Sequence, residues 1–168
     1  LASAKEGLGI EQILEAIIEH VPPPQGDAKL PLQALIFDSH YDIYRGVIIY
    51  IRIVNGTLKK GEKILLLGTG KEFEVLEIGT LKLELVPKDD LAAGEVGYLI
   101  ANIKNIADAH VGDTVTTVTG GTDQALPGYQ KIKPMVYCGF YPINGEDYNR
   151  LKEALEKLQL NDAALFFE

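Results

Sequence analysis

The feature that most constrains the fold is a run of strand-forming residues in the middle of the chain. From Val47 to Val54, apolar side chains recur with the two-residue period of a β-strand. Turn signals follow at Asn55-Gly56, Lys59-Lys60-Gly61 and Gly68-Thr69-Gly70. Further strands are predicted at 63–67, 72–78, 96–101 and 114–118. About six or seven short strands at this spacing predict a mainly β fold, with a closed β-barrel over residues 30–118.

Two amphipathic helices flank the predicted barrel. Residues 8–21 carry apolar side chains at helical spacing, and Pro22-Pro23-Pro24 ends this helix and begins a stiff, extended link. Residues 146–158 form the second helix, for which Asn144 is the predicted N-cap. Strands are predicted on either side of it, at 135–141 and 164–167. Strand, helix and strand in this order indicate the start of an α+β unit.

These elements divide the chain into three segments. The first, 1–26, is a helix and a linker, the second, 27–121, is the barrel, and the third, 122–168, is a linker and the start of the α+β unit. Gly and Pro residues at 120–128 mark the second linker. A lone helix cannot form a domain, and a strand–helix–strand start is half of one. We therefore expect the sequence to be a piece of a longer protein, cut at both ends.

Net charge and cysteine content limit the classes of function that the chain can have. The 168 residues carry a formal net charge of −8 and a single Cys. No segment is basic, so free-standing DNA or RNA binding is not expected, and any RNA contact must be local. One Cys permits no internal disulfide, and no apolar run is long enough to cross a bilayer. The cytoplasm is the expected compartment.

Catalytic and metal-binding motifs are absent from the sequence. Gly68-Thr69-Gly70-Lys71 is not a phosphate loop, because Leu65 replaces its first Gly and Glu72 its Ser or Thr. Neither Asp-x-x-Gly nor Asn-Lys-x-Asp occurs, so no catalytic residue is assigned and GTP hydrolysis by this chain is not expected. The three His residues are isolated, which gives no zinc spacing. Cys138 is predicted to be a buried packing residue in a strand.

Several segments together resemble a known family. They are Ser3-Ala4-Lys5, Ala34 to Ser39, Tyr44-Arg45-Gly46, Arg52 to Glu62, Ala93 to Gly97, Val111 to Thr114, Lys133 to Tyr137 and Leu151 to Glu168. In this order they resemble the LepA-like translational GTPases, the elongation factor 4 family. The resemblance implies the tail of a P-loop GTPase domain, a translation-factor-type second-domain barrel, and the start of a ferredoxin-like third domain.

The resemblance also implies sites and partners. Ser3, Ala4 and Lys5 would be part of a guanine-binding loop, completed by upstream residues of the GTPase domain. The longer protein would use GTP and Mg²⁺, whereas this segment needs no cofactor. Its partners would be the RNA and proteins of the small ribosomal subunit and its own GTPase domain. The family likeness also allows peripheral association with the cytoplasmic face of a bacterial membrane.

Two interpretations of the polar residues remain open. In the first, Arg45, Lys59 and Lys60 mark a face toward ribosomal RNA or the GTPase domain, since a guanidinium can hold a phosphate with two hydrogen bonds. In the second, the segment Asp38, His40, Tyr41, Asp42 and Arg45 forms a small acid–base site on a non-GTPase barrel. Another translational GTPase and a barrel without any ligand are further alternatives.

Overall fold

The computed structural model describes residues 1–42, 44–103, 108–128, 136–161 and 165–167. In this part of the chain there are two α-helices, α1 and α2, and ten strands, β1 to β10. The order is α1 Ile10–His20, β1 Gln33–Asp42, β2 Gly46–Asn55, β3 Thr57–Lys59, β4 Lys63–Leu66, β5 Lys71–Glu74, β6 Glu77–Leu81, β7 Leu85–Lys88, β8 Asp90–Ala92, β9 Val96–Ile100, β10 Thr114–Thr117 and α2 Tyr148–Asn161. A single 3-10 turn, Gly145–Asp147, precedes α2.

The strands form the predicted barrel. Eight of them make one antiparallel sheet in the order β5-β4-β10-β1-β2-β9-β6-β7, and β3 pairs with β8 in a separate ribbon. Buried side chains from strands far apart in this order, such as Ile64 of β4 and Ile78 of β6, belong to one core cluster. The sheet must therefore curl around that cluster rather than lie open.

The central strand β2 explains why the middle of the sequence is so apolar. On one side of the sheet, Val47, Ile49, Ile51 and Ile53 lie in the barrel core. On the other side, Ile48 packs with Tyr98 and Ile100 in a second cluster, which Tyr50 and Leu85 cover in part. Because both faces of β2 are covered, polar residues are unfavourable on either face. The apolar run at 47–51 therefore lacks the apolar–polar alternation of a half-buried strand. Arg52 is exposed and marks where the outer cover ends.

The strand predicted at 72–78 is wrong as a single element. It is two strands, because the chain changes partner at Val75: β5 pairs with β4, and β6 pairs with β7 and β9. Between them, the amide of Val75 donates to the carbonyl of Glu62 at 2.9 Å and that of Leu76 to Ile100 at 2.8 Å. Strands β1, β3, β7 and β8 have no counterpart among the individual strands predicted from sequence. Strand β7 contains Pro87 and lies at the edge of the sheet, where a missing amide donor is tolerated.

The prediction for the third segment is correct for its helix and wrong for its first strand. Residues 136–141 are not in a strand, and Cys138 is exposed rather than buried. The large apolar side chains of this segment, such as Val136, Tyr137 and Phe140, are exposed. Residues 165–167 are also outside any strand, and the rest of the strands predicted at 135–141 and 164–167 falls outside the described residues. Asn144, the predicted N-cap of the helix, lies at the N-cap of the 3-10 turn before α2 and makes no side-chain capping bond.

The segments before and after the sheet contain the linkers predicted at 22–26 and 120–128, and both lie against the barrel. We call residues 21–31, between α1 and β1, the N-terminal linker; in it, the carbonyl of Asp27 accepts from the amide of Gly56 at 2.9 Å. Gly56 has φ of 78°, and a Cβ there would lie 2.6 Å from the Cα of Leu32. Only glycine meets both conditions. We call residues 118–128, which follow β10, the C-terminal linker; in it, the amides of Thr122 and Leu126 donate to the hydroxyls of Thr116 and Thr114.

The two helices differ in what they contact. The apolar side chains of α1 are exposed along its whole length. Helix α2 packs against β1, with the ammonium of Lys157 lying 5.2 Å from the ring centre of Tyr41. Within the described residues, neither helix is long and apolar enough to cross a membrane.

Candidate functional surfaces

The Ser3-Ala4-Lys5 segment forms a tight turn ahead of α1. The amides and carbonyls of Ser3 and Leu8 exchange two hydrogen bonds, at 3.0 and 3.1 Å. The hydroxyl of Ser3 accepts from the amide of Glu6 at 3.3 Å. Ala4 and Lys5 lie at the tip of this turn and are exposed. The assignment of this turn to a guanine loop stays a prediction.

The hairpin between β1 and β2 is held by Asp42. One carboxylate oxygen accepts hydrogen bonds from the amides of Tyr44 and Arg45, both at 2.8 Å. These two bonds stabilise the charged form and lower the pKa of Asp42 below its usual range. The same carboxylate is therefore occupied in closing the turn and is a poor candidate for a general base.

The other members of the suggested acid–base site also have structural roles. The ring of His40 stacks on Tyr50, with centroids 5.4 Å apart, and Tyr41 packs against the core. Asp38 is exposed and accepts from the amide of Ser39 at 2.8 Å. Burial, and then the nearby charge of Asp38, raise the pKa of Tyr50. The geometry of this segment is that of a capped and stacked hairpin, which gives no support to the acid–base interpretation.

Arg45 reaches across the barrel surface to β6. Its guanidinium lies 3.4 Å from the carboxylate of Glu77, which accepts from the buried hydroxyl of Tyr98 at 2.7 Å. No sequence signal predicts this triad, because its members are separate in sequence and meet only through strand pairing. Arg45 and Glu77 are half-exposed, so their ion pair contributes little stability and leaves the guanidinium accessible.

Tyr98 supplies a test of this triad. Burial, and then the hydrogen bond to Glu77, raise the pKa of Tyr98 to about 12. The unfolded chain releases the phenol proton near pH 10, so the native state holds it more tightly and unfolding becomes easier as pH rises from about 10 to 12. The stability due to Tyr98 is fully present below pH 10. By pH 11 we expect about 1 kcal/mol of it to be lost.

Urea unfolding of wild type and Tyr98→Phe at pH 8 and pH 11 measures this loss. At pH 8 the variant should be less stable by about 1 kcal/mol, the usual worth of a hydrogen bond. At pH 11 that difference should vanish or reverse, because the variant has no phenol to titrate. A difference that stays constant between the two pH values would show that Tyr98 is not held protonated by its surroundings.

Lys59 and Lys60 are adjacent but belong to different grooves. Lys60 lines a groove of about 300 Å³ together with Glu77, Lys88 and Asp89. Lys59 lines a second groove, of about 520 Å³, that also includes Glu62 and Asp90. Both are exposed, and hydrogen bonds to their backbone amides fix the turn: the amide of Lys59 donates to the side-chain carboxylate of Glu62, and that of Lys60 donates to the carbonyl of Asp89.

Two of the three predicted interface cations therefore lie near Glu77: Arg45 pairs with its carboxylate, and Lys60 lines the same groove. Lys59 faces the neighbouring groove. Lys88, which the sequence did not single out, also borders the Lys60 groove, and its ammonium pairs with Glu95 at 2.6 Å. Among the described residues, no group of three or more His, Cys, Asp or Glu side chains could hold a metal ion.

Comparison with known proteins assigns the barrel. The family model described as "Elongation factor Tu domain 2" matches residues 46–116, which covers most of the strands. Over all 168 residues the sequence is 61% identical to elongation factor 4 of Bacillus pumilus and 58% identical to that of Bacillus subtilis. The chain belongs to the elongation factor 4 family. It spans 28% of the length of these two elongation factor 4 sequences.

A solved structure supports the fold of this chain. A crystal structure of a protein from Thermus thermophilus superposes with a TM-score of 0.76 and is 24% identical in sequence. The superposition covers 100% of this chain and 25% of that one. The mainly β barrel inferred from sequence is thus confirmed, as the family is by the two elongation factor 4 sequences.

Proposed function

We propose that this chain is the barrel-centred segment of a ribosome-associated translational GTPase. The full-length protein would act on elongating ribosomes, affecting the position of tRNA and mRNA and the efficiency or fidelity of protein synthesis. The observation that carries the proposal is the likeness to elongation factor 4 sequences over every residue of the chain. The barrel would dock on the small subunit and pass the nucleotide state outward by a shift of packed surfaces.

The nucleotide chemistry would reside elsewhere in the full-length protein. Ser3, Ala4 and Lys5 would contribute to its guanine site; Ala4 and Lys5 are exposed at the tip of their turn. GTP and Mg²⁺ would be bound by phosphate-binding elements that this sequence lacks. The proposed domain boundaries are 1–26, 27–121 and 122–168. The cytoplasm is the proposed compartment, and peripheral membrane association stays a prediction without support from these residues.

The proposed interface includes Arg45, Lys59 and Lys60. Both lysines are exposed on a turn whose backbone is fixed, and Arg45 is half-exposed beside the groove that Lys60 lines. The acidic chain repels RNA overall, so phosphate contacts must be made by such local cations. Glu77 holds Arg45 loosely, at 3.4 Å, and an RNA phosphate could replace it as partner.

Charge reversal in the full-length protein tests this interface. With Lys59→Glu and Lys60→Glu together, ribosome-stimulated GTP hydrolysis at limiting ribosome concentration should fall by about tenfold and depend less steeply on salt. The matched control is Lys82→Glu with Lys152→Glu, which makes the same charge change at two other exposed lysines. If both double variants show the same rate of ribosome-stimulated hydrolysis and the same salt dependence, Lys59 and Lys60 do not contact the ribosome and serve only solubility.

A further inference from the structure

Two side-chain amides join the linkers that enter and leave the barrel. The amide of Asp27, in the N-terminal linker, donates to the side-chain oxygen of Asn55 at 3.2 Å. The side-chain nitrogen of Asn55 donates to the side-chain oxygen of Gln33 at 2.9 Å. The side-chain nitrogen of Gln33 donates to the carbonyl of Gln124, in the C-terminal linker, at 2.9 Å. We call the pair Asn55 and Gln33 the amide relay.

The relay has one consistent direction. A backbone amide, which can only donate, begins it at Asp27, and a backbone carbonyl, which can only accept, ends it at Gln124. Reversing either side chain would place two donors or two acceptors face to face. Each amide group is thus oriented by the other, so the loss of one disturbs both ends.

The barrel holds the relay in place. Gln33 and Asn55 are cross-strand partners at the ends of β1 and β2, next to a register shift between Gln33 and Ala34. Among the described residues, no hydrogen bond joins 21–31 directly to 118–128. A second bridge runs alongside: the hydroxyl of Thr116 donates to the carbonyl of Leu32 at 2.7 Å and accepts from the amide of Thr122 at 3.0 Å.

We infer that the amide relay couples the two linkers, so that release of one loosens the other. The barrel would then act as a connector that transmits linker movement along Asp27, Asn55, Gln33 and Gln124. That the movement starts at a GTPase domain and ends at a third domain rests on the proposed function. The coupling itself rests only on the hydrogen bonds of the relay.

Hydrogen–deuterium exchange in the full-length protein tests the coupling. Gln33 makes no bond to Asp27, yet Gln33→Ala should speed exchange of the Asp27 amide by about three- to tenfold, together with residues 122–126. Gln124→Ala is the matched control, because it removes a side-chain amide but keeps the carbonyl that the relay uses. It should leave Asp27 at the wild-type rate. Faster exchange at 122–126 alone, with Asp27 unchanged in Gln33→Ala, would overturn the inference.

Gln33→Ala could instead loosen the whole barrel, which faster exchange at the core amides of Ile49 and Ile51 would reveal. A second variant covers this case. Gln33→Glu keeps the size of the side chain and can still accept from Asn55, but it cannot donate to Gln124. Exchange should then rise at 122–126 and less at Asp27. Wild-type exchange at 122–126 in this variant would also overturn the inference.

The functional consequence has a separate readout. Gln33→Ala should lower ribosome-stimulated GTP hydrolysis several-fold while ribosome binding stays at the wild-type level, because the relay transmits movement and does not bind the ribosome. Wild-type hydrolysis in a variant with accelerated exchange would overturn the connector role. A wild-type protein that ribosomes do not stimulate at all would overturn the proposed function instead, and the exchange result would still decide the coupling.

Discussion

Replacing Gly97 by alanine is expected to destabilise the barrel by about 3 kcal/mol or more, the upper end of what overpacking costs. Gly97 lies in β9, opposite Ile51 of β2. A Cβ there would lie 2.2 Å from the carbonyl oxygen of Gly79 and 2.7 Å from a methyl carbon of Leu91. The first contact is with backbone, which cannot turn aside as a side chain could, so two paired strands must separate.

Urea denaturation followed by circular dichroism measures this loss. Gly61→Ala is the control on the same barrel, because a Cβ at Gly61 meets nothing within 4 Å and only its φ of 83° opposes the change. It should cost about 1 kcal/mol. Equal losses in the two variants would show that β6 and β9 can move apart without penalty, contrary to the close backbone approach at Gly97.

The second large effect concerns nucleotide. The 168-residue chain is expected to bind GTP at least a thousandfold more weakly than the full-length protein, and not to hydrolyse it. Ser3, Ala4 and Lys5 could supply only a few contacts to the base, and the sequence contains no element that holds phosphates or Mg²⁺. Phosphate contacts provide most of the charge-assisted hydrogen bonds in such sites.

Titration calorimetry with GTP and Mg²⁺ compares the two proteins directly. The full-length protein is the positive control, and GTP alone in buffer sets the baseline for hydrolysis. Micromolar affinity of the isolated chain would mean that it contains a phosphate site without the known motifs, and would contradict the assignment of residues 1–26 as only the tail of a nucleotide domain.

Much of the barrel could be predicted from local patterns. The strand-forming residues of β2 and the glycines at 68 and 70 predict a strand and a turn because each signal depends on a few neighbouring residues. The change of partner at Val75 was not predicted, although it breaks the two-residue period: Phe73 and Val75 face the core, and the next core residue is Ile78 rather than Glu77. The prediction that Cys138 is buried is wrong because an apolar stretch has the same sequence pattern whether or not a partner strand covers it.

Less of the candidate surfaces than of the fold could be predicted from the sequence. The exposed turn at Lys59 and Lys60 follows from its glycine and charges. The contact of Arg45 with Glu77, 32 residues later, depends on the pairing of β2 with β9 and β9 with β6. The amide relay depends on the register that places Gln33 opposite Asn55. It also depends on two linkers whose composition gives no sign that they contact the barrel. Such contacts arise from register, which no local motif encodes.

The central claim is that this barrel belongs to a GTPase that works on the ribosome. GTP turnover by the full-length protein, measured with and without purified ribosomes, tests it most directly. We expect slow turnover by the protein alone and stimulation by at least tenfold when ribosomes are added, with the stimulation falling as salt rises. Turnover that ribosomes leave unchanged at every salt concentration would contradict the claim.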